Sequence, residues 1–291
     1  MGPGETNSMR EYLLDETDGG YGRVFVPCGP WKPTYGELVA REKVAAVRLS
    51  AAMGWRGSDL GFLEDLPELR SVEVYSWDVR DASAISTLRK LRLVGLQCNL
   101  RRPIDFMALR ELEVVKATWK PALESLLQCS HLKHLNLMNW PSVDFQPLAK
   151  LTRLAKLQIT SRQLSDIRGI SALQSLEWLD LDSCPNLSSI EDIRSCVNLR
   201  HLEMTSCKRV SNIAPVGDLR LLHELHLDGG GNIQSITPLR GCPLLEVLSF
   251  FGTTRIEDGQ LSVIEMLPHL RTLRFAPRRH YDRKREDLLP S

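Results

Sequence analysis

Eight side chains with chemical potential recur at a fixed interval in the second half of the chain. Trp178, Asp180 and Asp182 are followed by His201 and Glu203, then by Glu224, His226 and Asp228, with 23 residues separating Trp178, His201 and Glu224. If each interval brings the chain back to an adjacent strand, five carboxylates share one face with two imidazoles and an indole. Carboxylates that close together repel one another, which raises some of their pKa values unless a cation or a basic partner neutralises them. A basic helix or loop is the simplest occupant. A divalent cation held by Asp180, Glu203 and His226 is a sharper alternative, and a solvated acidic face partly balanced by Arg200 is the bland one.

No other chemistry competes for attention. The chain has no G-x-S-x-G, H-E-x-x-H or C-x-x-C motif, and Gly229-Gly230-Gly231 lacks the Lys-Ser/Thr of a phosphate loop, so it reads as a turn. The expectation is a protein that is not an enzyme and needs no cofactor or metal.

The element that must position these residues is a repeat. L-x-x-L-x-L recurs at Leu69/Val72/Val74, Leu88/Leu91/Leu93, Leu109/Leu112/Val114, Leu132/Leu135/Leu137, Leu154/Leu157/Ile159, Leu176/Leu179/Leu181, Leu199/Leu202/Met204, Leu222/Leu225/Leu227, Leu245/Leu248/Phe250 and Leu270/Leu273/Phe275. Anchors alternating at period two point into a core and send the residues between them to the opposite face of a strand. Return segments carry I-x-x-[ILV], as at Ile167/Ile170, Ile190/Ile193, Ile213/Val216 and Ile236/Leu239, often with Asp or Asn just before the isoleucine. This pattern resembles the leucine-rich repeats of internalins and of the phosphatase-regulator family. The resemblance covers about residues 66–275 and implies an α/β solenoid: a horseshoe with a parallel concave sheet of about eleven strands and short 3₁₀ or helical convex segments.

Around the repeats, residues 1–20 read as a disordered leader and residues 21–65 as an N-terminal cap with the first strand. Within the cap, Arg23–Pro27 forms a strand, and Thr34-x-x-Glu37 is a capping box opening a helix. Residues 66–276 make the solenoid, and residues 277–291 a basic C-terminal tail or cap. Cys129, Cys196 and Cys242 fall three residues before a first anchor and substitute for core leucines; Cys184 and Cys207 fall where such repeats bond exposed backbone at the strand exit. Cys98 takes the apolar slot two residues further on, only Cys28 in the cap has no repeat assignment, and an odd count of seven so dispersed fits reduced thiols. With no apolar run long enough for a signal peptide or a membrane helix, the location expected is cytoplasmic, with no membrane partner. Net charge is +1 from 37 basic and 36 acidic residues, so no sequence-wide field attracts nucleic acid, which is not expected as a partner.

Residues at one repeat offset form a column across the concave face. In the column after the third anchor, Tyr75, Val94, Val115 and Met138 make an apolar stripe, and Phe251 lies further along. Contiguous apolar surface on a soluble protein marks an interface. The expected function is a non-enzymatic scaffold that binds a partner protein with a basic surface on its concave face. Tyr75, Val94, Val115, Met138, Trp178 and Phe251 supply apolar contact, while Asp180, Asp182, His201, Glu203, His226 and Asp228 select charge. The stand-alone layout resembles bacterial repeat proteins that act as inhibitors or immunity factors. The alternatives are a regulatory or adaptor subunit of an enzyme such as a phosphatase, and a metal-binding protein using the acidic patch. Trp77 and Trp140 read as core fillers.

Overall fold

The computed structural model describes residues 11–16 and 21–288. Two compact units are present, Met1–Leu126 and Leu127–Ser291.

In the first unit, β1 (Tyr12–Glu16) runs antiparallel to β2 (Arg23–Pro27). Tyr12–Glu16 therefore corrects the expected leader over part of its length; the rest of that stretch, residues 1–10 and 17–20, lies outside the described residues. Helix α1 (Thr34–Arg41) follows, with Pro33 at its N-cap and no side-chain cap bond. The capping box is thus not formed. Thr34 already lies within the first turn, and Pro33, whose fixed φ suits a helix start, takes the place before it. Strands β3 (Ala46–Ser50), β4 (Ser71–Tyr75), β5 (Leu93–Gln97) and β6 (Val114–Thr118) then pair in parallel, one per repeat.

In the second unit the ladder comprises β7 (His134–Met138), β8 (Lys156–Thr160), β9 (Trp178–Asp182), β10 (His201–Glu203) and β11 (Glu224–His226). A short β12 (Asn232–Ile233) precedes β13 (Val247–Phe250), and a short β14 (Arg255–Ile256) precedes the last ladder strand, β15 (Thr272–Phe275). β12 and β14 pair with each other, outside the ladder. From β3 onward the described residues contain eleven ladder strands, and the fold is a leucine-rich repeat solenoid.

The convex returns are short 3₁₀ segments, and Asp or Asn side chains that accept an amide two residues on shape several of them. Asp166 Oδ1 accepts from the Arg168 amide at 2.9 Å, and Asn212 Oδ1 from the Ala214 amide at 2.8 Å. Asp81, Asp105, Asp144 and Asp258 do the same two residues on. These Asx turns satisfy an amide that a tight turn would otherwise orphan. Ile167, Ile170, Ile190, Ile193, Ile213, Val216, Ile236 and Leu239 are all buried, so each return segment pins itself to the core from behind.

In two strands the register differs from the sequence reading. Val94 pairs with Val72 and with Val115, and Leu96 pairs with Val74 and with Ala117. The anchors of these repeats are therefore Leu91/Val94/Leu96 and Leu112/Val115/Ala117, three residues later than expected. Both frames satisfy L-x-x-L-x-L, because leucines recur at positions 88, 91, 93 and 96. The later frame wins because it puts Leu88 and Leu109 in the buried slot three residues before the first anchor, where other repeats carry Leu66, Leu151 and Leu173. As a result Val94 and Val115 are both 0% exposed. The stripe from Tyr75 to Met138 does not exist, since Tyr75 has Gln97 as its neighbour.

The cysteines are all free, and every one but Cys28 is buried. Cys98, Cys184 and Cys207 each donate a weak S–H bond to the carbonyl of the preceding repeat's third anchor: Val74 at 3.5 Å, Ile159 at 3.8 Å and Leu181 at 3.1 Å. Trp140 is buried as expected, its Nε1 donating to the Asp144 carbonyl at 3.1 Å. Trp77 is not a core filler: it is 57% exposed.

Past β15 the chain folds back onto the last repeat. Tyr281 Oη accepts from the Ile256 amide at 3.1 Å, Asp282 Oδ1 accepts from the Leu261 amide at 2.7 Å, and Arg283 pairs with Glu265 at 2.5 Å. Leu288, in the short α2 (Arg285–Leu288), is buried. Part of the basic run is thereby used in closing the end of the ladder. No helix among the described residues is long and apolar enough to cross a membrane.

Candidate functional site

Strands β8 to β11 carry the chemistry foreseen on the concave side of the second unit. Parallel pairing aligns Lys156, Trp178, His201 and Glu224 in one row and Gln158, Asp180, Glu203 and His226 in the next. The inward leucines between them, Leu157, Leu179, Leu202 and Leu225, are fully buried and hold the rows rigid from beneath.

The first row is a stack. The Lys156 ammonium lies 4.0 Å above the Trp178 ring centroid, and the Trp178 and His201 rings lie 3.4 Å apart at 10°. A cation over an indole face is attracted by the ring quadrupole, and the offset rings fix each other's planes. His201 is only 5% exposed. Burial pushes its pKa below the usual imidazole value, against the hydrogen bond to Glu224, which raises it. Its Nδ1 lies 2.9 Å from Glu224 Oε2, and its Nε2 faces Glu203 Oε2 at 3.6 Å without a hydrogen bond. One imidazole proton cannot serve both carboxylates.

The second row is acceptor-rich. Asp180 Oδ2 accepts from Gln158 Nε2 at 3.0 Å, while its Oδ1 is buried with no partner. Burial raises the Asp180 pKa first, the neighbouring Glu203 and Asp182 raise it further, and the Gln158 hydrogen bond opposes them. Trp178 Nε1 is likewise buried without an acceptor. Among the described residues four buried side-chain polar atoms lack a hydrogen bond, and three of them belong to Trp178, Asp180 and His201. Unmet polar atoms in a close-packed protein mark places where a ligand, ion or water completes the structure.

Of the residues expected to form a binding face, Trp178, Asp180, Asp182, His201, Glu203 and His226 come together here. Asp228 lies beside them in a supporting role: its carboxylate accepts from Ser249 Oγ at 2.6 Å and from the Phe251 amide at 2.6 Å, bracing the strand exit. Phe251 is 50% exposed, with the Arg274 guanidinium 6.0 Å from its ring centroid. Met138 is half-buried on β7. Tyr75 lies in the first unit, half-buried, its hydroxyl donating to Glu73. Val94 and Val115 belong to the core.

The sequence reading left Lys156 and Glu224 out of the expected binding set, although each shares a repeat offset with Trp178. A hollow of about 340 Å³ opens beside the stack, lined by Lys156, Trp178, Arg200, His201, His223 and Glu224. The carboxylate and imidazoles that converge also differ from the trio expected. Asp180, Glu203 and His226 span two strand spacings, whereas ligand atoms of His201, Glu224 and His226 lie within 4.8 Å of one another. The difference arises because Glu224 and His226 flank one inward leucine on the same strand and so point to the same side.

Comparison with known proteins bears on the fold alone. No family model matches the chain, and no curated protein does. Among solved structures, an internalin of Listeria monocytogenes superposes with a TM-score of 0.52 at 18% identity, over 80% of this chain and 72% of that one. The plant peptide hormone receptor RGFR1, solved in complex with RGF2, gives 0.56 at 18% identity, over 80% of this chain and 40% of the receptor. A TDR receptor gives 0.54 at 15% identity, over 85% of this chain and 51% of that one. The chain is thus a leucine-rich repeat protein in fold, and it spans about 40–51% of the length of these two receptors.

Proposed function

We propose that this chain is a non-enzymatic, cytoplasmic scaffold that holds a partner protein on the concave face of its second unit, over β8 to β13. The observation that carries this reading is the clustering of unmet polar atoms at Trp178, Asp180 and His201, on a face where the half-buried Trp178 stands among carboxylates. A half-buried tryptophan with a free indole N–H is the residue type that dominates binding energy at protein interfaces. Asp180, Asp182 and Glu203 around it favour a basic segment and set specificity and encounter rate more than affinity. Five ladder strands at about 4.8 Å spacing give a face roughly 19 Å wide, enough for one helix of about 10–12 Å diameter or an extended segment. The receptor solved with RGF2 is a precedent for the same fold holding a peptide. Use as an inhibitor of a basic toxin-like domain, or as the adaptor subunit of an enzyme, places the same demand on this face.

The test is affinity capture from the source lysate with wild-type protein and with a Trp178→Ala/Asp182→Lys variant of equal thermal stability. The reading expects a protein retained by the wild type, released by added salt and lost with the variant. Identical captures would place binding on the convex side or on the C-terminal basic segment.

A further inference from the structure

We infer that His201, Glu224 and His226 form a binding site for one zinc-class divalent cation at the edge of the concave face. Zinc binding is measured without any partner, so this inference stands apart from the scaffold reading, and either can fail alone.

The geometry is close to what such an ion requires. Glu224 Oε2 lies 2.9 Å from His201 Nδ1 and 3.6 Å from His226 Nε2. Ligands at about 2.0–2.1 Å from a tetrahedral ion sit roughly 3.3 Å apart, between those two separations. The remaining pair, within 4.8 Å, must close a little, and the Glu224 and His226 side chains, 43% and 23% exposed, have room to do so. Two imidazoles and one carboxylate suit zinc and its neighbours in the first transition row rather than calcium or magnesium, which favour all-oxygen sets.

The second observation is the frustrated His201. This ring is nine-tenths buried, stacked against Trp178, and held between two carboxylates, Glu224 at Nδ1 and Glu203 at Nε2. Nδ1 lies within hydrogen-bond distance of Glu224, whereas the buried Nε2 makes no hydrogen bond. A cation held between Nδ1 and Glu224 would leave the N–H of a metal-bound imidazole on Nε2, the side that faces Glu203. Metal-bound histidines are regularly oriented by such a carboxylate on the far nitrogen. Thr205 Oγ1 in turn donates to Glu203 Oε1 at 2.9 Å and holds that carboxylate in place. The chain thus supplies three ligands and a supporting shell, and leaves the solvent side open.

Zinc titration of the tag-free, chelator-stripped full-length chain, in competition with a chromogenic chelator, tests the site. The wild type is expected to bind one zinc per chain. His226→Ala and Glu224→Gln alter partly exposed side chains and are expected to weaken binding about 100-fold, and Glu203→Gln roughly tenfold. Glu257→Gln, an exposed residue outside both the trio and the proposed partner face, leaves it unchanged. Because the chain has seven cysteines, the cobalt(II) form is recorded in parallel, and the site predicts a spectrum without a thiolate charge-transfer band. Failure of the wild type to bind, equal binding by His226→Ala, or a thiolate band would each overturn the assignment.

Discussion

The concave faces of the two units are built from the same repeat, and they treat their charges differently. In the first unit Glu73 is buried, and its carboxylate accepts from Arg48 Nη2 at 2.9 Å and from the Tyr75 hydroxyl; at the entry to the next two strands Arg92 pairs with Glu113 at 2.7 Å. In the second unit Asp180 keeps one oxygen without a donor, His201 faces two carboxylates, and the Trp178 N–H points at no acceptor. The repeat fixes where concave side chains stand. Whether those side chains satisfy each other is decided by their chemistry, and a face that leaves them unsatisfied is one prepared for something else.

The comparison can be broken at several points, beginning with the frame on which it rests. Val115→Asp puts a carboxylate into the core and is expected to cost on the order of 4 kcal/mol or unfold the first unit, whereas Val114→Asp, one residue away on the concave side, costs less than about 1 kcal/mol. Urea denaturation of both variants decides; equal losses would restore the earlier frame. Next, Glu73→Ala leaves Arg48 and the Tyr75 hydroxyl without their acceptor and is expected to lose about 1–3 kcal/mol, while Asp180→Asn is expected to be neutral or stabilising by up to about 1 kcal/mol. Matching losses at both sites would erase the distinction drawn between the units.

A pH series sharpens the same point. The folded-state pKa of Asp180 is raised, so between its unfolded value and its folded value the native state binds more protons than the unfolded one. Its contribution to stability therefore falls as pH rises through that window above 3.8. Relative to wild type, Asp180→Asn should lack this slope when both are melted in chelator across acidic pH; parallel curves would mean the carboxyl is not perturbed. The smallest effect concerns the thiols. Burial pushes Cys98 up to about 12 and Cys196 and Cys242 up to about 11, so alkylation of the native protein should reach Cys28 first and these three only on unfolding.

The ladder was legible because a solenoid repeats its core requirement in every turn, and ten matches to one template leave few alternatives. The frame slip at Leu88 and Leu109 shows the limit. Where leucines recur every two to three residues, the template fits twice, and only the slot three residues before the first anchor separates the frames. That slot was already in use for Cys129, Cys196 and Cys242, so the signal was present. The acidic and aromatic cluster was legible from repeat offsets alone. What was not legible was rotameric: that Trp178 stacks on His201, that Asp228 turns to brace Phe251, and that Glu224 rather than Asp180 meets the two histidines. A column fixes where side chains begin and not where they end. The strand Tyr12–Glu16 was missed because its sequence, YLLDE, carries little β-branched or alternating character.

Affinity for a captured partner, measured on two matched surface variants, tests the central claim most directly. Trp178→Ala/Asp182→Lys alters the unsatisfied face of the second unit, and Tyr75→Ala/Gln97→Lys alters, in the first, two residues at the offset that Asp182 occupies in the second. The account predicts a loss above about 100-fold in Kd for the first variant, an aromatic anchor plus a reversed charge, and less than about threefold for the second. Equal losses, or a larger loss from Tyr75→Ala/Gln97→Lys, would contradict it.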